Sequence, residues 1–153
     1  MTLQPAVDRV ATRASFTVYG LPVPQGSKSA IRQGPRTLIV ERGRKTLNPW
    51  RGQIAMTAAA ILVKPITEPV EVELTFTLPR PKSHFRSGSR AAELREDAPV
   101  YVSHRPDVDK LARAVLDALT GVAFLDDGQV SCLIAAKVYG DRPGVEVEIR
   151  ELA

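Results

Sequence analysis

Apolar and polar residues alternate most cleanly over residues 69–78. There Val70, Val72, Leu74, Phe76 and Leu78 are separated by Glu71, Glu73, Thr75 and Thr77. A period of two sets one series against a core and the other in water, as in a half-buried strand. Phe16 and Val18 alternate with polar neighbours over 14–20 and stop at Gly20, which predicts an earlier strand. Val130, Cys132, Ile134, Ala136 and Val138 predict a strand over 129–139 with those five on one face. Val145, Val147 and Ile149 alternate with Glu146, Glu148 and Arg150 as the last strand. Asp141-Arg142-Pro143-Gly144 turns the chain between these two, so residues 129–150 are expected to pair as a hairpin.

Helical spacing appears twice. Asn48-Pro49-Trp50 supplies an N-cap and a first-turn proline, and Trp50, Ile54, Ala58, Ile61 and Leu62 form the stripe that follows, up to Pro65. We read Trp50 as a core anchor. A second helix is expected from about Asp107 to Thr120, with Leu111, Val115, Ala118 and Leu119 inward and Gly121 as its stop. The order β-α-β-α-β-β predicts a two-layer α/β (α+β) domain, with a mixed β-sheet packed against two main helices. The 153 residues suit one such domain over 1–153, with 1–13 as a loose lead-in. Residues 21–47 and 79–105 are expected to be loops, the first with a short hairpin near Thr37–Val40 and the second with one helical turn near Ala91–Glu96.

Charge changes the picture of those loops. The net charge of +4 is modest, but it is concentrated. Lys28, Arg32, Arg36, Arg42, Arg44, Lys45 and Arg51 face only Glu41 between residues 21 and 53. Arg80, Lys82, Arg86, Arg90, Arg95 and Arg105 outnumber Glu93, Glu96 and Asp97 between 79 and 106. Two basic loops point to a polyanionic partner. We take Lys28, Arg32, Arg36, Arg44, Lys45, Lys82, Arg86 and Arg105 as its candidate contacts. Cys132 is the only cysteine, which excludes an intramolecular disulfide and a cysteine-based metal site. No apolar run is long enough to span a membrane, and no signal-peptide pattern opens the chain. A cytoplasmic protein is expected.

Acidic residues interrupt this basic background at one place. Arg105-Pro106-Asp107-Val108-Asp109-Lys110 opens the second helix, and Asp126-Asp127-Gly128 follows it. Carboxylates that converge in a basic surface need a counter-charge, and a hard divalent cation such as Mg²⁺ takes oxygen ligands together with a substrate phosphate. Asp107 and Asp109 would serve equally as a helix cap and a first-turn acid. The second pair shifts the balance towards a metal site, because a turn before Gly128 needs only one aspartate. Lys110, Arg113 and Asp117 lie on the polar side of the helix. Asp109, Arg113 and Asp117 are spaced for an i,i+4 ion-pair ladder, and Arg113 equally for a cation that steadies a phosphate.

The run Arg-Pro-Asp-Val-Asp-Lys-Leu-Ala-Arg-Ala-Val-Leu-Asp-Ala-Leu-Thr-Gly, followed by Asp-Asp-Gly-Gln-Val, resembles the RusA family of Holliday junction resolvases, especially phage-type members. The likeness is strongest over residues 105–130 and looser over 16–150. It implies a homodimeric Mg²⁺-dependent endodeoxyribonuclease, with Mn²⁺ as a possible substitute. Such an enzyme cuts four-way DNA junctions by symmetric paired nicks, in recombination and repair. The family's metal carboxylates fall on Asp107, Asp109 and Asp127, with Asp126 beside the last. Its catalytic lysine position falls on Arg113, which keeps the charge without readily exchanging a proton. Either that role is electrostatic or Lys110, which stands where the family often has Asn, takes it over. The alternatives are a less selective endonuclease on branched or flap DNA in phage replication or packaging, and a non-catalytic DNA-binding module.

Overall fold

A computed structural model describes residues 11–26, 28–41 and 43–153. The elements are β1 (Arg13–Tyr19), β2 (Lys28–Gln33), β3 (Arg36–Glu41), α1 (Arg44–Ile61), β4 (Val70–Leu78), α2 (Val108–Leu119), β5 (Val130–Tyr139) and β6 (Gly144–Glu151). Short 3-10 turns occur at Lys82–His84, Gly88–Arg90 and Asp127–Gln129. Four strands make a mixed sheet in the order β1-β6-β4-β5, while β2 and β3 form a separate ribbon. The α+β two-layer architecture is as expected.

The core lies between the sheet and its two helices. Val70, Val72, Leu74 and Phe76 are fully buried on one face of β4, as its alternation predicts. From α2 come Leu111, Val115 and Leu119, and from α1 Leu47, Trp50, Ile54 and Ala58. Trp50 is a core residue, 4% exposed. No helix among the described residues is long and apolar enough to cross a membrane.

The expected 129–150 hairpin does not form. β5 pairs with β4 in parallel, and β6 inserts antiparallel on the other side of β4. The cause is α2. To cover the sheet it must run back along β4, so the next strand starts beside the start of β4 and lies parallel to it. Val145, Val147 and Ile149 are no more than 1% exposed in this central slot. β5 takes the edge, where Leu133 and Ile134 stay 45% and 48% exposed. Its facing also departs from expectation. The register slips between Val70 and Glu71, so Val70 meets Val130 but Glu71 meets Cys132. Ser131 is the extra residue of this bulge. It turns Cys132, Ile134, Ala136 and Val138 onto the open face and leaves Val130 on the helix side.

α1 begins at Arg44 rather than Asn48, so Pro49 sits inside it. The earlier start buries Leu47, and the amides of Thr46 and Leu47 donate to Gly43 O at 3.1 Å. Pro49 lies past the unpaired first amides and so forgoes the one bond that an amide there would make to Lys45 O. Ile61, expected inward, is 46% exposed because the helix ends there. The second basic segment is ordered by its own bonds. Arg86 N donates to Glu93 O (2.8 Å) and Arg95 N to His84 O (2.9 Å), and the expected turn at 91–96 gives way to the 3-10 turn at Gly88–Arg90.

Candidate active site

α2 starts where the second basic segment ends. Asp107 is its N-cap in extended conformation (φ −71°, ψ 136°), yet its side chain makes no capping hydrogen bond. An N-cap aspartate ordinarily accepts from an amide of the first turn. Here the carboxylate turns elsewhere, with Lys110 Nζ 3.8 Å from Oδ2. Asp109 is exposed in the first turn. Two carboxylates thus present oxygens to solvent at the positive end of a helix dipole. Capping does not account for Asp107.

The approach to Asp107 is held by a residue that hydropathy and charge patterning did not single out. Lys137 Nζ, near the end of β5, donates to His104 O (2.7 Å) and Pro106 O (2.8 Å). His104 Nε2 lies 2.9 Å from the Tyr139 hydroxyl. Val102 N donates to Lys137 O (3.1 Å) and Tyr139 N to Val100 O (2.9 Å). The end of β5 therefore staples residues 100–106 and sets where Asp107 emerges. One signal could have found it: Lys137 is the only charged residue in an otherwise apolar strand. Lys137→Met is expected to cost about 1–3 kcal/mol, the scale of hydrogen bonds from a charged group. Urea denaturation measures this, and a loss below about 0.5 kcal/mol would show that the staple is dispensable.

Asp126 and Asp127 play separate parts. Asp126 Oδ1 accepts from Gly128 N at 2.7 Å, and Gln129 Oε1 accepts from the amides of Leu125 (2.8 Å) and Asp126 (3.0 Å). This reciprocal cap makes Asp126 a structural residue of the turn. The Gly128 N–H holds its carboxyl below the ordinary value, with Asp127 adding to the effect. Asp127 moves the other way. Its hydrogen bond with Asp126 raises it most, followed by burial and the negative charges of Asp126 and Asp117.

The two acidic pairs stand at opposite ends of α2. Asp107 adjoins Lys137 at one end of β5, while Asp127 precedes Val130 at the other. The eight residues from Val130 to Lys137, seven steps of strand rise, span roughly 20 Å. Among the described residues, no three His, Cys, Asp or Glu side chains gather within reach of one cation. The ladder along α2 does not form either. Arg51 of α1 takes Asp117 at 2.9 Å and also bonds Gln25 Oε1. Arg113 is exposed, one turn beyond Asp109.

The candidate polyanion contacts divide. Arg32 and Arg36 are exposed on the ribbon, Lys45 at the start of α1, Lys82 in its 3-10 turn, and Arg105 beside Asp107. Arg86 is only 33% exposed and lies 3.9 Å from Glu93 and 3.7 Å from Glu96, which makes it a brace of the loop. The side chains of Lys28 and Arg44 lie outside the described residues. Cys132 is half-buried, and burial together with the Glu71 carboxylate pushes its thiol up, as suits an inert cysteine.

The chain is 34% identical over 140 residues to Uncharacterized protein YqaN of Bacillus subtilis (strain 168), with 90% of this chain and 96% of that protein covered. Residues 20–150, which carry both acidic pairs and both basic segments, match the family described as Endodeoxyribonuclease RusA. The chain belongs to the RusA endodeoxyribonuclease family.

Proposed function

We propose that this protein is a Mg²⁺-dependent, structure-specific endodeoxyribonuclease that resolves four-way DNA junctions by symmetric paired nicks. The observation that carries the reading is the pair Asp107 and Asp109. Neither carboxylate caps the helix by its side chain, both face solvent, and both directly follow the second basic segment of a chain in a nuclease family. Exposed carboxylate oxygens are the donor type that Mg²⁺ requires. Asp107, Asp109 and Asp127 would hold the ion. When bound, it would polarise the phosphodiester and lower the pKa of an attacking water. Lys110 and Arg113 flank Asp109 on α2 and would neutralise charge on the phosphate. Arg113 does this as a fixed cation.

A single copy leaves Asp127 roughly 20 Å from Asp107, so we infer that the working form is a homodimer. The outer edge of β5 supports this. Its 137–139 end is met by Tyr101, while the 131–136 stretch pairs with no further strand on its outer side among the described residues and carries the exposed Leu133 and Ile134. An open, apolar edge is a template for a second strand. Antiparallel pairing of two β5 strands sets the start of one beside the end of the other. Asp127 of one copy would then approach Asp107 and Asp109 of the second. A two-fold dimer also matches a four-way junction.

The test is a labelled four-way junction incubated with the protein and Mg²⁺, beside a flap and a linear duplex. Paired symmetric nicks on the junction alone are expected. Equal cleavage of all three would replace the reading with a less selective endonuclease of branched DNA, and binding without cleavage would leave a DNA-binding module.

A further inference from the structure

We propose that the β2–β3 ribbon is a finger that enters a groove of duplex DNA and holds one arm over the start of α2. The proposal rests on the nuclease reading above and deepens it. Three observations carry it.

First, the ribbon stands apart from the main sheet among the described residues. β2 and β3 pair only with each other among the described residues. Ile31, Leu38 and Ile39 are 50%, 46% and 74% exposed. An isolated two-stranded hairpin is marginal in water, and neighbouring exposed apolar residues mark a surface with a partner.

Second, the register places the charge. Ala30 pairs with Ile39 and Ile31 with Leu38 nearer the root. Arg32 pairs with Thr37 and Gln33 with Arg36 at the tip, where Gly34 turns the chain at φ 64°. Successive pairs face opposite sides of a ribbon, so Arg32 and Arg36 project from opposite faces. Residues 32–37 contain no carboxylate. A groove has a phosphate wall on each side, and the major groove, about 12 Å wide, admits a two-stranded ribbon. One arginine per face meets one wall each.

Third, the root of the finger is fixed to the candidate site. Gln25 N, three residues before β2, donates to Lys110 O at 2.9 Å. Lys110 follows Asp109 directly. A ribbon that leaves the first turn of α2 and grips a duplex brings that duplex to Asp107 and Asp109.

The experiment measures binding of a labelled four-way junction in EDTA across a salt series. It compares wild type, Arg32→Gln/Arg36→Gln, Arg32→Lys/Arg36→Lys, and a control pair on the open face of the sheet, Arg13→Gln/Arg150→Gln. All four positions are exposed, so the variants are expected to keep the fold, which thermal denaturation checks. Removing two cations that each neutralise a phosphate should lower the slope of log K against log salt by about 1.8. The junction Kd should rise about tenfold or more for the glutamine pair on the finger. The lysine pair should keep the wild-type slope, and so should the control. An unchanged slope for the finger pair overturns the proposal, as does an equal loss in the control. An unchanged slope with altered self-association would assign the ribbon to a second copy instead. The readout is binding alone, so it separates the two readings. A wild type that cuts no branched DNA while the finger slope falls would sink the resolvase and leave the finger.

Discussion

Asp107→Asn should abolish junction cleavage while leaving the fold and junction binding intact. The expected fall in rate is at least about a thousandfold, roughly 4 kcal/mol of barrier. The structure makes this variant informative. An aspartate that caps a helix is worth about 1 kcal/mol, and its removal can confuse lost stability with lost chemistry. Asp107 makes no such bond, so the amide should cost the helix only the weaker interaction with its dipole, about 0.3 to 1 kcal/mol. The variant also removes a negative charge beside the proposed path of the DNA. Its junction affinity should equal or exceed that of wild type. Cleavage assays with Mg²⁺, paired with thermal denaturation and junction binding, check all three expectations. A variant that cuts at the wild-type rate would remove Asp107 from the metal site. A variant that unfolds would show that its carboxylate supports the helix after all.

How much could be read in advance depended on how far each signal reaches along the chain. The alternation of β4 and the stripe of α2 are local, and both predicted their buried faces correctly. The spacing of Asp107 and Asp109 is equally local. The place of β5 and β6 in the sheet is not. It follows from where α2 must lie to cover β4, and the reversed facing of Cys132 and Ile134 follows from a one-residue bulge. Neither leaves a mark in hydropathy. Arg51 shows the same limit. Its sequence neighbours suggest an exposed helical cation, yet it takes Asp117 from the ladder expected along α2 because the two helices pack side by side. Asp126 and Asp127 are adjacent and alike in sequence. Only the amides of Leu125, Asp126 and Gly128 show that the first shapes the turn. Lys137 was legible as an oddity in an apolar strand, but its acceptors lie more than thirty residues earlier in the chain.

Mixing two inactive proteins should restore cleavage. Asp127→Asn alone is expected to be as inactive as Asp107→Asn, since each removes one proposed metal carboxylate. The outcome of combining them depends on where a complete site is assembled. If Asp107, Asp109 and Asp127 met within one chain, every protomer in a mixed dimer would carry one defect and no site would work. If Asp127 reaches across to a second copy, the mixed dimer concentrates both defects in one site and leaves the other intact. The separation along β5 favours the second case, since eight strand residues cannot be folded away inside one copy. After subunit exchange by mixing or co-expression, about half of the dimers should be mixed, each with one working site. Those dimers should nick one strand of a junction without the paired second cut. A product of single nicks, absent from either variant alone, is the signature. Continued silence in a mixture proven to contain mixed dimers would place all the ligands in one chain, and would require Asp127 to move towards α2 when metal and DNA bind.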